Sequence, residues 1–300
     1  MARDWEVWLA TASGPASATE EQERDRTEKR IREAIRASSE ISGSVRVFAK
    51  GSYANGTNVR RNADVDIAVE YHETIKVGKW GKTEGATAEQ LGYTPVDFGV
   101  TTSEFRRQVE RALRTAFGAK VDIAPDKHIG VEAGSGTLDA DVVPCFALHR
   151  YDTLHPPTYV AGHRIYPKSG GRVDNYPQQN YDNGVAKNRA TGRRYKEMVR
   201  CTKRLIIELY EEQEIKREYP GYLTESLLYN VPNDRFGHAR RYDDLQSIFR
   251  FLWNALDEEA QYEAWTEPSE LVMLFRGHSN RYPANAKAVI GKAWDKIGVA

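Results

Sequence analysis

The chain has 300 residues, with 43 basic and 43 acidic side chains, so its formal net charge is zero. Balanced charge gives no long-range pull toward a nucleic acid polymer, and two cysteines are too few for a disulfide scaffold. No run is apolar enough to span a bilayer, and the length allows two lobes with ample core.

Residues 1–8 carry Arg3, Asp4 and Glu6 and do not read as a signal peptide. A soluble cytoplasmic protein is expected, with Cys145 and Cys201 as buried thiols beside apolar runs. Residues 19–38 are charged and helix-forming, with Ile31, Ala34 and Ile35 as a narrow apolar stripe. An apolar run (Val45, Val47, Phe48) then ends at Gly51 and Ser52. A polar turn follows, and Ile67, Ala68 and Val69 read as a buried strand. The glycine-rich stretch 77–92 reads as a long loop or lid. Phe105, Val109, Ala112, Leu113 and Ala116 recur at helical spacing and predict a helix over 102–117. Short strands are expected at 120–123, 128–132 and 138–147, then a polar, Pro- and Gly-rich stretch over 151–193. Segments 194–214, 222–230, 242–257 and 285–297 carry helical periodicity. The pattern predicts an α+β catalytic lobe over 1–160 and a helical lobe over 161–300, with a cleft between them.

The chemistry concentrates in residues 51–70. Asp64 and Asp66 stand at i and i+2 of a strand and project to one face. Two like charges that close repel unless a cation lies between them. A divalent metal bound to nucleotide phosphates is the natural candidate, because Mg²⁺ favours one or two carboxylates plus phosphate oxygens. Ser52 and the N–H groups after Gly51 are placed to cradle a phosphate chain. A third carboxylate belongs on a later strand, and Leu138–Phe146 offers both Asp139 and Asp141 on one face; spacing does not choose between them. Pro144 is expected to keep that strand from a central position. Three such carboxylates suit a pair of metal ions about 3.5–4 Å apart. Cations come from the helix at Arg194, where Lys196, Arg200 and Lys203 form one stripe and suit phosphates. None of the seven histidines forms a ligand pair at metal spacing. His149 and His163 read as polar cleft or surface residues, and no zinc site is read.

Five segments in order then carry a resemblance over about three quarters of the chain: GSYANGTNVRRNADVDIAV (51–69), ADVVPC (140–145), NYPQQNYDNGVAKN (175–188), RYKEMVRCTK (194–203) and YLTESLLYNVPN (222–233). The chain resembles the cGAS/DncV-like nucleotidyltransferases, the bacterial CD-NTases of the polymerase-β-like superfamily, and within them clade E. The resemblance implies a mixed-sheet nucleotidyltransferase lobe and a C-terminal helical lobe. It implies condensation of nucleoside triphosphates into a cyclic di- or trinucleotide, with two Mg²⁺ ions that Mn²⁺ can replace. The messenger would act on a separate effector protein in anti-phage signalling. Asp64, Asp66 and Asp141 become the metal ligands, and Asp139 a structural or supporting residue. Gly51 and Ser52 match the triphosphate-gripping pair and Lys203 a phosphate-contacting lysine, with Lys196 and Arg200 in support. Tyr222 falls where relatives stack a ring on a base, while Gly221 stands where they often carry serine. Asn175 sits in the Asn-Tyr-Pro context tied to pyrimidine selection, which suits an amide that can pair with uracil O4 and N3–H. The substrates expected are UTP and ATP, the product cyclic di-UMP or cyclic UMP-AMP, and the protein a monomer with no obligatory nucleic acid partner. The competing readings are a template-independent transferase acting on RNA or a small molecule, and a silent nucleotide-binding module.

Overall fold

The computed structural model describes residues 3–59, 64–96 and 99–298. The first half of the chain runs α1 (Trp5–Ala12), α2 (Ala18–Ala37), β1 (Val45–Ala49), α3 (Gly51–Asn55), β2 (Val65–Lys79), α4 (Thr102–Phe117), β3 (Val121–Asp122) and β4 (Ile129–Val131). Then come β5 (Ala140–Leu154), β6 (Pro157–Ile165), β7 (Val173–Asn175), α5 (Pro177–Ala190) and α6 (Arg194–Glu211). The chain ends with α7 (Gly221–Tyr229), α8 (Arg241–Ala255), α9 (Glu259–Tyr262) and α10 (Pro283–Ile297).

These elements pack into two compact units, one of Ser17–Gly51 with Ala63–Gln178, the other of Met1–Ala16, Ser52–Asn62 and Gln179–Ala300. A single cut near residue 160 therefore does not describe the packing. The helical unit recruits two earlier segments because Leu9 and Ala12 of α1 enter its core and Arg200 holds the carbonyls of Ser13 and Gly56. The sheet, in turn, continues past 160 through β6 and β7.

The sheet unit is built on seven strands in the order β1-β2-β5-β4-β3, with β6 and β7 added beyond β5. Among the described residues only β2 and β5 pair in parallel, and the crossover between them carries α4 and the β3–β4 hairpin. Alternation divides each long strand. Val65, Ile67, Val69 and Tyr71 of β2 are buried, and Tyr71 and Phe146 pack on Phe105 of α4 at 5.1 and 5.4 Å between rings. The opposite face of β2 and β5 is left to Asp66, Ala68 and Glu70, and to Asp141, Val143 and Cys145. Helix α2 starts at a capping box between Ser17 and Glu20. It buries Thr27, Ile31 and Ile35, and Thr27 Oγ1 accepts the N–H of Leu138 at 2.9 Å, fixing the approach to β5.

Three sequence expectations change. Residues 77–79 extend β2 beside β5, and the turn after them docks through Thr83, whose hydroxyl donates to the Tyr151 carbonyl at 2.7 Å. Ala86 and Leu91 bury against Tyr151, so the described part of 77–92 is packed structure and not a lid. The stretch 151–193 contains the end of β5, all of β6 and β7, and α5. Pro144 sits in a central strand. It is tolerated because β4 pairs with Ala140–Val142 and β6 begins at Cys145, so no residue of either is paired with Val143 or Pro144.

In the helical unit, Tyr195, Met198, Val199 and Leu205 of α6 meet Leu227 and Leu228 of α7, Leu245, Phe249 and Leu252 of α8, and Ile290 of α10 in one core. Both cysteines are buried and unpaired, as expected. No helix among the described residues is long and apolar enough to cross a membrane.

The close approach of β6 to β7 depends on Gly162. A Cβ there would lie 2.6 Å from the Asn175 carbonyl oxygen and 2.7 Å from the Tyr176 ring. Gly162→Ala should destabilise the fold by about 1–3 kcal/mol, read as a lower denaturant midpoint with an unchanged slope; an unchanged midpoint would contradict this packing.

Candidate active site

The parallel register places Asp66 beside Asp141. One step earlier, the N–H of Val65 donates to the Asp139 carbonyl at 2.8 Å, so Asp64 and Asp139 stand at the next rung of the same face. Gly130 of β4 lies opposite Asp141 and offers no side chain to fill that flank. The two aspartates that spacing left open differ in their partners. Asp139 Oδ1 accepts the Ala133 N–H at 2.5 Å and secures the turn before β5, whereas Asp141 Oδ1 faces His128 Nε2 at 3.2 Å. Asp66 Oδ1 faces Lys50 Nζ at 3.6 Å.

Partial burial raises the Asp64 carboxyl above the ordinary carboxylate range, and Asp139 and Asp66 push it further against a smaller pull from His128. Burial also raises Asp141; His128 and Lys50 draw it down while Asp64 and Asp66 push it up. Among the described residues, the face thus gathers more carboxylates than the cations set against them, and burial raises the cost of their charge. Its donors are all carboxylate oxygens, which suits a hard divalent cation. Gly51 completes this corner for a steric reason: its φ is +70°, and a Cβ would lie 2.1 Å from Asp66 Oδ2.

In the helical unit, the expected cationic stripe is mostly internal. Arg200 donates to the carbonyls of Ser13 and Gly56 at 2.7 and 2.6 Å and is 8% exposed, so it anchors main chain. Lys203 donates to the Thr57 carbonyl, the Thr57 hydroxyl and Glu225 Oε2 at 3.2, 3.3 and 3.1 Å. The Thr57 N–H in turn donates to the Ser52 carbonyl at 2.9 Å. Lys196 is half-buried over the Tyr181 ring at 5.5 Å, and burial lowers its ammonium. Tyr222 is partly exposed on α7, with the Arg281 guanidinium 5.8 Å from its ring.

Asn175 ends β7 opposite His163 of β6, and His163 lies opposite Ala147 of β5. Directly paired residues share a face, so Asn175 belongs to the face that carries the aspartates. His163 is fully buried and not the polar cleft or surface residue its sequence context suggested. Burial first, then Lys50 and Arg46, take its imidazole down to about 3, so it is neutral. Its ligating atoms lie within 4.8 Å of those of Glu70 and Cys145. Glu70 is already answered by Arg46 at 3.0 Å, which leaves that group without the surplus charge of the aspartate face. Lys50, His128, Asn55, Thr57 and Glu225 are the contributors that motif reading passes over. Of these, only Glu225, a lone acid inside the apolar run LTESLL, carries a signal of its own.

Residues 29–155 match the nucleotidyltransferase domain family, and residues 182–298 match the cGAS/DncV-like nucleotidyltransferase C-terminal helical domain. The chain is 34% identical, over 99% of both sequences, to the cyclic dipyrimidine nucleotide synthase CdnE of Legionella pneumophila. It belongs to the cGAS/DncV-like nucleotidyltransferases of clade E. A clade relative from Elizabethkingia meningoseptica, a cyclic dipurine nucleotide synthase, is 32% identical over 98% of both chains. The solved CdnE c-UMP-AMP synthase of Rhodothermus marinus, with Apcpp and Upnpp, superposes with a TM-score of 0.82 at 29% identity over 98% of each chain. As a CD-NTase, the chain is a nucleotidyltransferase of the class that makes cyclic dinucleotides.

Two outcomes follow from the aspartate face. Gly51→Ala should displace Asp66 and abolish synthesis in a protein whose circular dichroism is unchanged. Asp64 and Asp141 have raised carboxyls in the fold, so their contribution to stability is present at acid pH and lost as pH rises and they ionise. At neutral pH in EDTA, Asp64→Asn or Asp141→Asn should therefore melt no lower than the parent, and up to about 1–3 °C higher. A clear drop in melting temperature would contradict the crowding of charge.

Proposed function

We propose that this CD-NTase joins UTP to a second nucleoside triphosphate, UTP or ATP, to form a cyclic dinucleotide with release of pyrophosphate. The messenger then acts on a separate effector in anti-phage defence. What supports the base choice is the register that puts Asn175 on the aspartate face; similarity alone leaves it open, since relatives at a third identity carry both dipyrimidine and dipurine names.

Asp64, Asp66 and Asp141 fit a divalent cation by donor type and by their uncompensated charge, and they are the residues that would hold Mg²⁺. When bound, the metal would neutralise phosphate charge and favour ionisation of the attacking ribose hydroxyl. Lys50 and His128 face the Asp66 and Asp141 carboxylates at 3.6 and 3.2 Å and steady them electrostatically. Asp139 keeps the β5 entry rigid through Ala133. Ser52 and Lys203 take the donor's phosphates, and Lys196 and Tyr222 line the nucleotide path of the helical unit. Asn175 offers one donor and one acceptor to a uracil edge. A purine presenting the wrong edge leaves buried polar groups unpaired, which is how such a site discriminates. Catalysis is then largely positioning and charge neutralisation.

The test incubates purified protein and Mg²⁺, then Mn²⁺, with ATP, GTP, CTP and UTP, singly and in pairs, and identifies phosphatase-resistant products by mass spectrometry. A cyclic product that requires UTP is expected. Asn175→Ala should lower the yield from UTP by roughly ten- to hundredfold and narrow the gap between bases. Asp66→Asn and Asp141→Asn should make no product. A product built from purines alone would overturn the pyrimidine assignment.

A further inference from the structure

Glu225 lies in the middle of α7 among Leu223, Leu227 and Leu228, 4% exposed. A carboxylate that deep is stable only when its oxygens are answered, and here they are answered by three side chains from two other parts of the helical unit. Oε1 accepts Asn55 Nδ2 at 3.0 Å. Oε2 accepts the Thr57 hydroxyl at 2.6 Å and Lys203 Nζ at 3.1 Å. Lys203 also donates to the Thr57 hydroxyl at 3.3 Å, so lysine, threonine and glutamate close a ring. The Glu225 carbonyl accepts the Tyr195 hydroxyl at 3.3 Å, pinning the helix at the same residue.

This ring joins the two features expected to grip a triphosphate. Asn55 and Thr57 belong to the segment after Ser52, and the Thr57 N–H closes back on the Ser52 carbonyl. Lys203 supplies the cation. Each has many conformations available alone, the lysine most of all, since fixing a long side chain costs considerable rotamer entropy. One buried carboxylate removes that freedom from both at once.

We infer that Glu225 is a positioning residue for triphosphate binding, setting the loop after Ser52 through Asn55 and Thr57 and aiming the ammonium of Lys203. It rests on the reading of Lys203 as a phosphate contact. The arrangement is specific to a carboxylate. A glutamine keeps one acceptor oxygen for the Thr57–Lys203 pair only if Asn55 turns its own Oδ1 to accept the new NH₂, and in either orientation it loses the charge that pairs with Lys203. Thr57 must be a hydroxyl for the same reason, since valine fills its shape but leaves Glu225 short of a donor.

The experiment measures the affinity of full-length protein for a non-hydrolysable UTP analogue with Mg²⁺ by calorimetry, well below each variant's melting temperature. The variants are Lys203→Met, Glu225→Gln and the two together. Lys203→Met and Glu225→Gln should each weaken binding roughly tenfold or more, and the double variant should be little worse than Lys203→Met, the signature of one coupled unit. Thr57→Ser should recover most of what Thr57→Val loses, which tests the ring independently if Glu225→Gln fails to fold. Loss in Lys203→Met with parental affinity in Glu225→Gln, or in Thr57→Val, would overturn the positioning role alone. So would fully additive losses. Parental affinity in Lys203→Met would overturn the phosphate-contact reading and this inference with it.

Discussion

Everything in the sheet unit depends on one registered pair of strands. β2 and β5 are parallel neighbours, and a slip of one residue would turn Asp66 and Asp141 toward α4 and bring Ile67 and Val142 out. The register holds because the apolar face is committed. Val65, Ile67 and Val142 are fully buried, and Phe105 locks Tyr71 to Phe146 from the helix side. The hydrophobic effect fixes the positions of charges that electrostatics alone would drive apart. The Thr27 bond to Leu138 and the Gly51 contact with Asp66 refine the placement at either strand's entry.

This explains which parts of the site are legible in the chain's residue order. Asp64 and Asp66 declare their common face through a period of two. Asp139 and Asp141 share that period as well, and what distinguishes them lies in their contacts: Asp139 accepts the Ala133 N–H across a turn, and Asp141 faces His128. β6 is hidden for a different reason: its first five residues are mostly exposed and carry no apolar alternation, because that part of the hairpin has little core to face. Pro144 misleads because strand centrality is not a property of the whole strand: β5 changes partners on one edge at that residue. Helical spacing groups Lys196, Arg200 and Lys203 correctly but cannot tell a solvated stripe from a buried one. That distinction lies in acceptors from Ser13, Gly56, Thr57 and Glu225, far away in sequence.

The two units handle charge in opposite ways. On the sheet, among the described residues, acids are gathered with less positive charge than they need, and burial makes the shortfall felt. In the helical unit, Lys203 and Glu225 are matched within one buried ring whose hydrogen bonds reinforce one another. A surplus recruits a cation; a balanced ring holds its members still. Reaction chemistry needs the first, and accurate presentation of a flexible phosphate chain needs the second.

In the proposed function, base choice is physically separable from both. Asn175 hangs on β7, which touches the rest of the sheet only through β6, and its neighbour His163 is neutral and buried, adding no charge to the aspartate face. A substitution at the end of β7 can change the hydrogen-bonding pattern offered to a base without moving the β2–β5 register or the Glu225 ring. On that proposal, a scaffold arranged this way lets product identity drift while the aspartate face stays fixed. The constraint on that drift is Gly162: any side chain there would drive β7 away from β6, so the strand that carries Asn175 can change its surface but not its distance from the sheet.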